Sequence, residues 1–271
     1  GLGAEFNAFT SKEYTGFYIK AASSNLELVS EVLSDMLLNS KFDQEEINRE
    51  RNVIAEELRM YLDTPMRYVG DIYEELLYGD QPLGWDTVGT LESLANIQRD
   101  DFLSYNSKYY LGPNMLFVAG GDVTEFRAKE LAEKYFSTLP DQPSPTFLPV
   151  AYQQEKPALR LFYKDSEQAH LCLGVRGFAL GNPDRYTLAV LNSIIGSSMS
   201  SRLFIQLRER RGLAYYVRSG NEEYHDAGSF AAQAGVDPKN INEAIKVVLA
   251  EFARIATEKP GAEELNKAKE S

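Results

Sequence analysis

Asp43-Gln44-Glu45-Glu46-Ile47-Asn48-Arg49-Glu50-Arg51-Asn52-Val53-Ile54-Ala55-Glu56-Glu57-Leu58-Arg59-Met60-Tyr61 is the stretch from which the fold and the chemistry of this chain are read. Asp43 followed three places later by Glu46 has the pattern of a capping box, so a helix should start there and run to about Tyr61. At about 100° per residue, Ile47, Ile54, Leu58, Tyr61 and Leu62 fall on one broad face. Glu50 and Glu57 fall on it too, two turns apart and nearly in line, while Glu45 and Glu56 point elsewhere. Burying an ionised carboxylate without a partner costs several kcal/mol, so this pair calls for a cation, a proton or hydrogen-bond donors. The plainer alternative puts both at the edge of the stripe, with Arg51, Arg59 or solvent as partners.

Upstream, Glu5 to Ala21 alternates loosely and reads as two strands joined around Ser11-Lys12-Glu13. A helix carrying Leu26, Val29, Leu33 and Leu37 follows and ends near Asn39-Ser40. Downstream, helices are expected at Pro65 to Leu77, Arg99 to Tyr109 and Val123 to Phe136, with a strand at Met115 to Ala119. Leu139-Pro140-Asp141-Gln142-Pro143-Ser144-Pro145 is stiff, extended and unable to continue a helix, which places the domain boundary there. Beyond it come strands at Ala158 to Tyr163 and Ala169 to Val175, then helices at Asp184 to Ile195 and Ser200 to Arg210. The second of these is closed by Gly212 as a C-cap. A strand pair at Tyr215 to Gly220 and Ser229 to Gly235 and an amphipathic helix from Ile241 to Ile255 complete the series.

The two halves resemble each other. Gly16-Phe17, an amphipathic helix and Glu45-Glu46-Ile47-Asn48-Arg49 have counterparts in Ser229-Phe230, a second such helix and Glu263-Glu264-Leu265-Asn266-Lys267. In that alignment Ala268 stands opposite Glu50, so the fold itself does not require an acid there. The expected class is α+β: two homologous domains of mainly antiparallel sheet packed on helices. Residues 1–138 form the first, 139–157 a linker and 158–271 the second, both incomplete.

Composition narrows the partners. A length of 271 residues, 44% hydrophobic and 25% charged, suits a globular chain of two domains. A net charge of -12 repels phosphate backbones and anionic lipid, so neither nucleic acid nor membrane is an expected partner. The lone Cys172 and the lack of a signal-like start point to the cytoplasm.

Gly3-Ala4-Glu5-Phe6-Asn7-Ala8-Phe9-Thr10-Ser11-Lys12-Glu13 and Glu50-Arg51-Asn52-Val53-Ile54-Ala55-Glu56-Glu57 together resemble the pitrilysin and insulinase clan of zinc peptidases, family M16. So do Pro82-Leu83-Gly84 with Val88-Gly89-Thr90, Ser200-Ser201-Arg202-Leu203-Phe204, and Leu207-Arg208-Glu209-Arg210-Arg211-Gly212-Leu213-Ala214-Tyr215. The resemblance spans essentially the whole chain and is greatest to the bacterial processing-peptidase type. It implies a zinc endopeptidase that cuts peptides bound as an added strand in a chamber between domains, and a homodimer. It makes Glu57 a zinc ligand and Glu50 an outer acid that orients a ligand or water. Asn7, Ala8 and Phe9 become the strand that pairs with substrate, and Arg208 and Tyr215 donors that steady the developing oxyanion. The family's H-x-x-E-H histidines have no match. His170 and His225 stand alone, so the two histidine ligands of one Zn2+ are expected outside this sequence. The alternative is a non-catalytic relative that keeps the framework as a scaffold or peptide-binding subunit.

Overall fold

The computed structural model describes residues 3–270. Its internal contacts divide the chain into two compact units: the residues up to Leu58 with Thr87–Leu148, and Arg59–Asp86 with the residues from Pro149 onward. The architecture is α+β, with antiparallel strand pairing throughout the described sheets.

The first unit opens on a hairpin of β1 (Glu5–Thr10) and β2 (Thr15–Lys20), in register Asn7↔Tyr18, Ala8↔Phe17 and Phe9↔Gly16. Ser11 closes it: its N–H donates to Tyr14 O at 2.8 Å, and its hydroxyl oxygen accepts from the Tyr14 N–H at 3.2 Å. Gly16 leaves room for Phe9 opposite it: a Cβ there would stand 2.2 Å from the Phe9 ring, which would have to swing aside. Helix α1 (Leu26–Leu38) packs on α6 (Glu125–Phe136), whose Leu131 is fully buried. Glu27 at the start of α1 receives Arg127, Lys134 and the Tyr135 hydroxyl from α6, the last at 2.6 Å. The Lys134 and Tyr135 hydrogen bonds hold its carboxyl down to about 2.

Helix α2 (Gln44–Leu62) starts where the sequence indicates. The Asp43 carboxylate accepts from the N–H groups of Glu45 and Glu46 at 2.9 and 3.3 Å, while the Glu46 side chain takes Arg49. Ile47 and Leu58 are buried on the anticipated face. Helix α3 (Pro65–Tyr78) belongs to the second unit, α4 (Leu91–Asn96) and α5 (Arg99–Tyr109) to the first. The short α4 was not expected from periodicity. It is fixed by a local device, a reciprocal capping pair of Thr90 and Ser93 at 3.1 and 2.9 Å.

The second unit centres on a three-stranded sheet in the order β3 (Ala169–Arg176), β5 (Gly228–Val236), β4 (Ala214–Glu223). β5 is central and buried along nearly its whole length. Its Phe230, Ala232, Ala234 and Val236 join a core with Ile195 of α7 (Arg185–Ile195) and Val248 of α8 (Ile241–Thr257). On the alternate positions, Gln233 lies against Gly70 of α3, and the Tyr73 hydroxyl reaches Val175 O at 3.4 Å. Period-2 alternation thus serves two helical layers, one on each face. Cys172 sits in β3 with its thiol pushed up to about 12 by burial, an inert position. Helix α9 (Ala262–Glu270) ends the described chain.

Three expectations are corrected. Met115–Ala119 and Ala158–Tyr163 are in no ladder among the described residues. In the second segment Arg160 pairs with Glu75 at 3.0 Å and Phe162 packs edge-on against Tyr68, both on α3. Leu159, Leu161 and Tyr163 alternate outward. The helix foreseen over Ser200–Arg210 is instead a π-helix across Phe204–Glu209.

Candidate active site

The first unit carries carboxylates and a strand edge. Glu50 and Glu57 lie seven residues apart on α2, about 10 Å along the axis. Glu57 is half-buried beside the buried Leu58, whereas Glu50 is exposed. The sequence set the two as equals on one face; the structure grades them. Arg51, the partner considered for them, instead crosses to α4 and its C-terminal flank, where its Nε donates to Leu94 O at 3.2 Å and its Nη2 to Ile97 O at 2.6 Å. That ties the carboxylate helix to a second element and leaves its guanidinium engaged on carbonyls.

Asn7, Ala8 and Phe9 are all exposed on β1, which has β2 as its one strand neighbour among the described residues. Such an edge accepts an added strand. The Ala8 N–H donates to the Asn7 Oδ1 at 2.8 Å, so at this position the edge is satisfied locally. Phe9 stands edge-on to Tyr14, with centroids 6.0 Å apart, presenting an aromatic face beside the edge.

The second unit carries Arg208 and Tyr215, each on a backbone irregularity. In the π-helix, Arg210 N–H reaches Ile205 O at 2.9 Å, one residue beyond the α-helical partner. Leu203 and Leu207 are fully buried beneath it, and Arg208 is exposed with its guanidinium 5.2 Å from the Phe204 ring centroid. Gly212, at φ 59°, ends the segment. Its own N–H bonds Arg208 O at 3.2 Å and the Leu213 N–H bonds Leu207 O at 2.8 Å, each one residue longer than in the paired glycine cap of an α-helix, in keeping with the π-turn before it. Three residues on, Ala214 pairs with Val236 and Tyr216 with Gly235, which makes Tyr215 the extra residue of a β-bulge. Its ring is 58% exposed, near the Lys239 charge. Neither irregularity has a sequence signature that a single chain reveals.

The histidines behave as structural residues. The His170 Nδ1 lies 3.0 Å from the Tyr216 hydroxyl, and burial lowers its pKa; His225 is exposed. Among the described residues no group of three or more His, Cys, Asp or Glu could hold a metal ion. A catalytic zinc needs three protein ligands, so the residues present do not fit one by themselves.

Residues 96–271 match the family model described as the peptidase M16 inactive domain, and residues 1–91 match the model described as insulinase, peptidase family M16. The chain belongs to peptidase family M16. Among M16 relatives, an uncharacterized zinc protease of Bacillus subtilis, YmxG, is 35% identical over 99% of this chain and 65% of its own length. Another from Streptomyces coelicolor is 32% identical over 94% of this chain and 57% of its own. The chain therefore spans less than two thirds of these relatives. A protease from Helicobacter pylori superposes with a TM-score of 0.91 at 25% identity, covering 99% of this chain and 66% of that one. The peptidase M16 inactive domain of Pseudomonas fluorescens gives 0.89 at 23%, a likeness of fold, over the same shares. Glu50, Glu57 and β1 fall within the M16 insulinase match, Arg208 and Tyr215 within the M16 inactive-domain match.

Proposed function

We propose that this chain is part of a zinc-dependent endopeptidase that hydrolyses peptides bound as an added strand. The observation that carries the reading is the placing of Arg208 and Tyr215 on a π-turn and a β-bulge, flanking the Gly212 cap. Such irregularities cost regular hydrogen bonding and recur where side chains are re-aimed for function. The Arg208 guanidinium and the Tyr215 hydroxyl suit steadying a substrate carbonyl as negative charge grows on its oxygen. Asn7, Ala8 and Phe9 pair with the peptide backbone. Glu57 supplies one zinc ligand, with the remaining ligands from outside the chain's described residues, and Glu50 orients a ligand or water from further out. Among the described residues the donor set for the metal is incomplete. The protein acts as a homodimer in the cytoplasm. Among the described residues no helix is long and apolar enough to cross a membrane.

The test compares Glu57→Gln with Glu50→Gln in the full-length protein. Glu57→Gln lowers zinc content and peptidase activity together; Glu50→Gln lowers activity with the smaller loss of metal. Zinc by atomic absorption beside cleavage of an internally quenched peptide reads both, and the opposite order would reverse the two assignments.

A second reading, a non-catalytic scaffold or peptide-binding subunit, is supported by the match of residues 96–271 to the model described as the peptidase M16 inactive domain. Full-length protein that binds labelled casein and never cleaves it with zinc present would establish that reading.

A further inference from the structure

Two arginines stand six residues apart in the segment that carries the π-turn, and they are treated in opposite ways. Arg208 is exposed. Arg202, at the start of the segment, has a side chain only 10% exposed, and its guanidinium grips Glu264 of α9 with a two-pronged fork, Nε to Oε1 and Nη2 to Oε2, both 2.7 Å. The pair perturbs both partners in the expected directions, Arg202 raised and Glu264 lowered, each chiefly through this contact.

A second carboxylate stands behind the fork. Glu251 of α8 has a side chain 9% exposed, and its charge acts on Arg202. Arg202 Nη1 and Glu251 Oε2 are both buried, and neither has a hydrogen-bond partner in the structure. Arg254 approaches the same Oε2 only to 3.9 Å and gives its Nε to Glu258 at 3.0 Å. One guanidinium therefore ties the start of the π-segment to α9 and faces α8 electrostatically.

Such a group is a poor choice for stability alone, since apolar side chains of the same volume do as well or better once desolvation is counted. A forked ion pair adds direction, which apolar packing does not. Direction is what a π-turn needs, because its looser hydrogen bonding leaves the register to be set by what lies around it. Leu203 and Leu207 anchor the turn from the core, and the fork holds its start from the α9 side.

We propose that the Arg202–Glu264 pair, backed by Glu251, is a positioning device that holds the π-turn in register and so aims Arg208, and through the Gly212 turn Tyr215. The proposal rests on the reading that Arg208 touches substrate. Arg202 and Glu264 act through it and do not meet substrate themselves.

The test is a double-mutant cycle in the full-length protein. Glu264→Gln keeps the side-chain volume and one acceptor, and Arg202→Lys keeps the charge and loses the fork. The measurements are kcat/KM on an internally quenched peptide, affinity of the metal-stripped protein for fluorescein-labelled casein by anisotropy, and amide exchange over residues 204–213. Each of Arg208→Ala and Glu264→Gln is expected to lower kcat/KM by about tenfold, within the range for misplacing one contact group. The double variant should be no worse than Arg208→Ala alone, because a positioning residue has nothing left to position. Exchange over 204–213 should quicken in Glu264→Gln while β5 keeps its protection, with casein affinity falling in parallel. Additive losses, or wild-type kcat/KM with unchanged exchange, would overturn the proposal. Should Glu264→Gln not accumulate as folded protein, Arg202→Lys carries the same cycle, and the same results support or overturn the proposal. If Arg208→Ala itself has wild-type kcat/KM, the functional reading of Arg208 fails, and the exchange data still decide whether the pair holds the turn.

Discussion

Tyr215 follows a capped turn, displaced from the ladder by the bulge, with its ring outward and its hydroxyl at the surface. Tyr215→Phe removes that hydroxyl and keeps the ring, so thermal stability should be unchanged. Turnover should fall by roughly ten- to a thousandfold, the range for losing one oxyanion donor, with zinc content untouched. Peptidase assays beside thermal melts separate this from a merely packed tyrosine, which would show full activity. At this scale the sequence was legible where periodicity speaks. The face shared by Ile47, Leu58 and Glu57 emerged from a 3.6-residue repeat, and the structure keeps it. The depth difference between Glu50 and Glu57 was not legible, because it depends on what packs over each turn of α2.

The hinge between the π-turn and β4 is a single glycine. Gly212 sits at φ 59°, and an added Cβ would meet nothing within 4 Å, so Gly212→Ala suffers backbone strain alone. It should cost about 1 kcal/mol and lower Tm by about 2–4 °C in a chain of this size, read by calorimetry. The cap was readable because glycine is the residue that conformation selects; the π-turn was not, because the same leucine spacing suits an α-helix. In the first unit, Glu27 binds α1 to α6 through charge. Its carboxyl lies near 2 when folded against 4.5 ordinarily, so its contribution is fully present above about pH 4.5 and is lost as pH falls toward 2. Since the cluster is solvent-accessible, salt should weaken it. Acid melts of Glu27→Gln beside wild type should converge at the low end of that window and differ most above it.

For the molecule as a whole, the antiparallel α+β character was legible from strand pairs alternating with helices, and the sheet order β3–β5–β4 was not, because pairing is set by long-range contacts. The same is true of α3: it precedes the proline-rich segment in sequence yet packs on β3 and β5. The 271-residue chain alone should bind no zinc with submicromolar affinity, since one carboxylate cannot make a tetrahedral site. Isothermal titration decides this, and a stoichiometric tight site would mean that the ligands are other residues.

The segment 158–163 has a colloidal consequence. Proteins usually guard a bare strand with outward charge, which makes it repel copies of itself. Here the nearest cations are engaged in ion pairs. Arg160 and, just beyond, Lys164 are held in ion pairs by Glu75 and Asp63, and Leu159, Leu161 and Tyr163 form a row 80%, 86% and 91% exposed. The chain therefore offers an apolar row whose nearest cations are already paired, and self-association through it should set the upper limit on working concentration. Replacing Leu161 by Lys should raise the concentration at which light scattering begins while leaving the melt unchanged. Equal scattering from both proteins would place the sticky surface elsewhere.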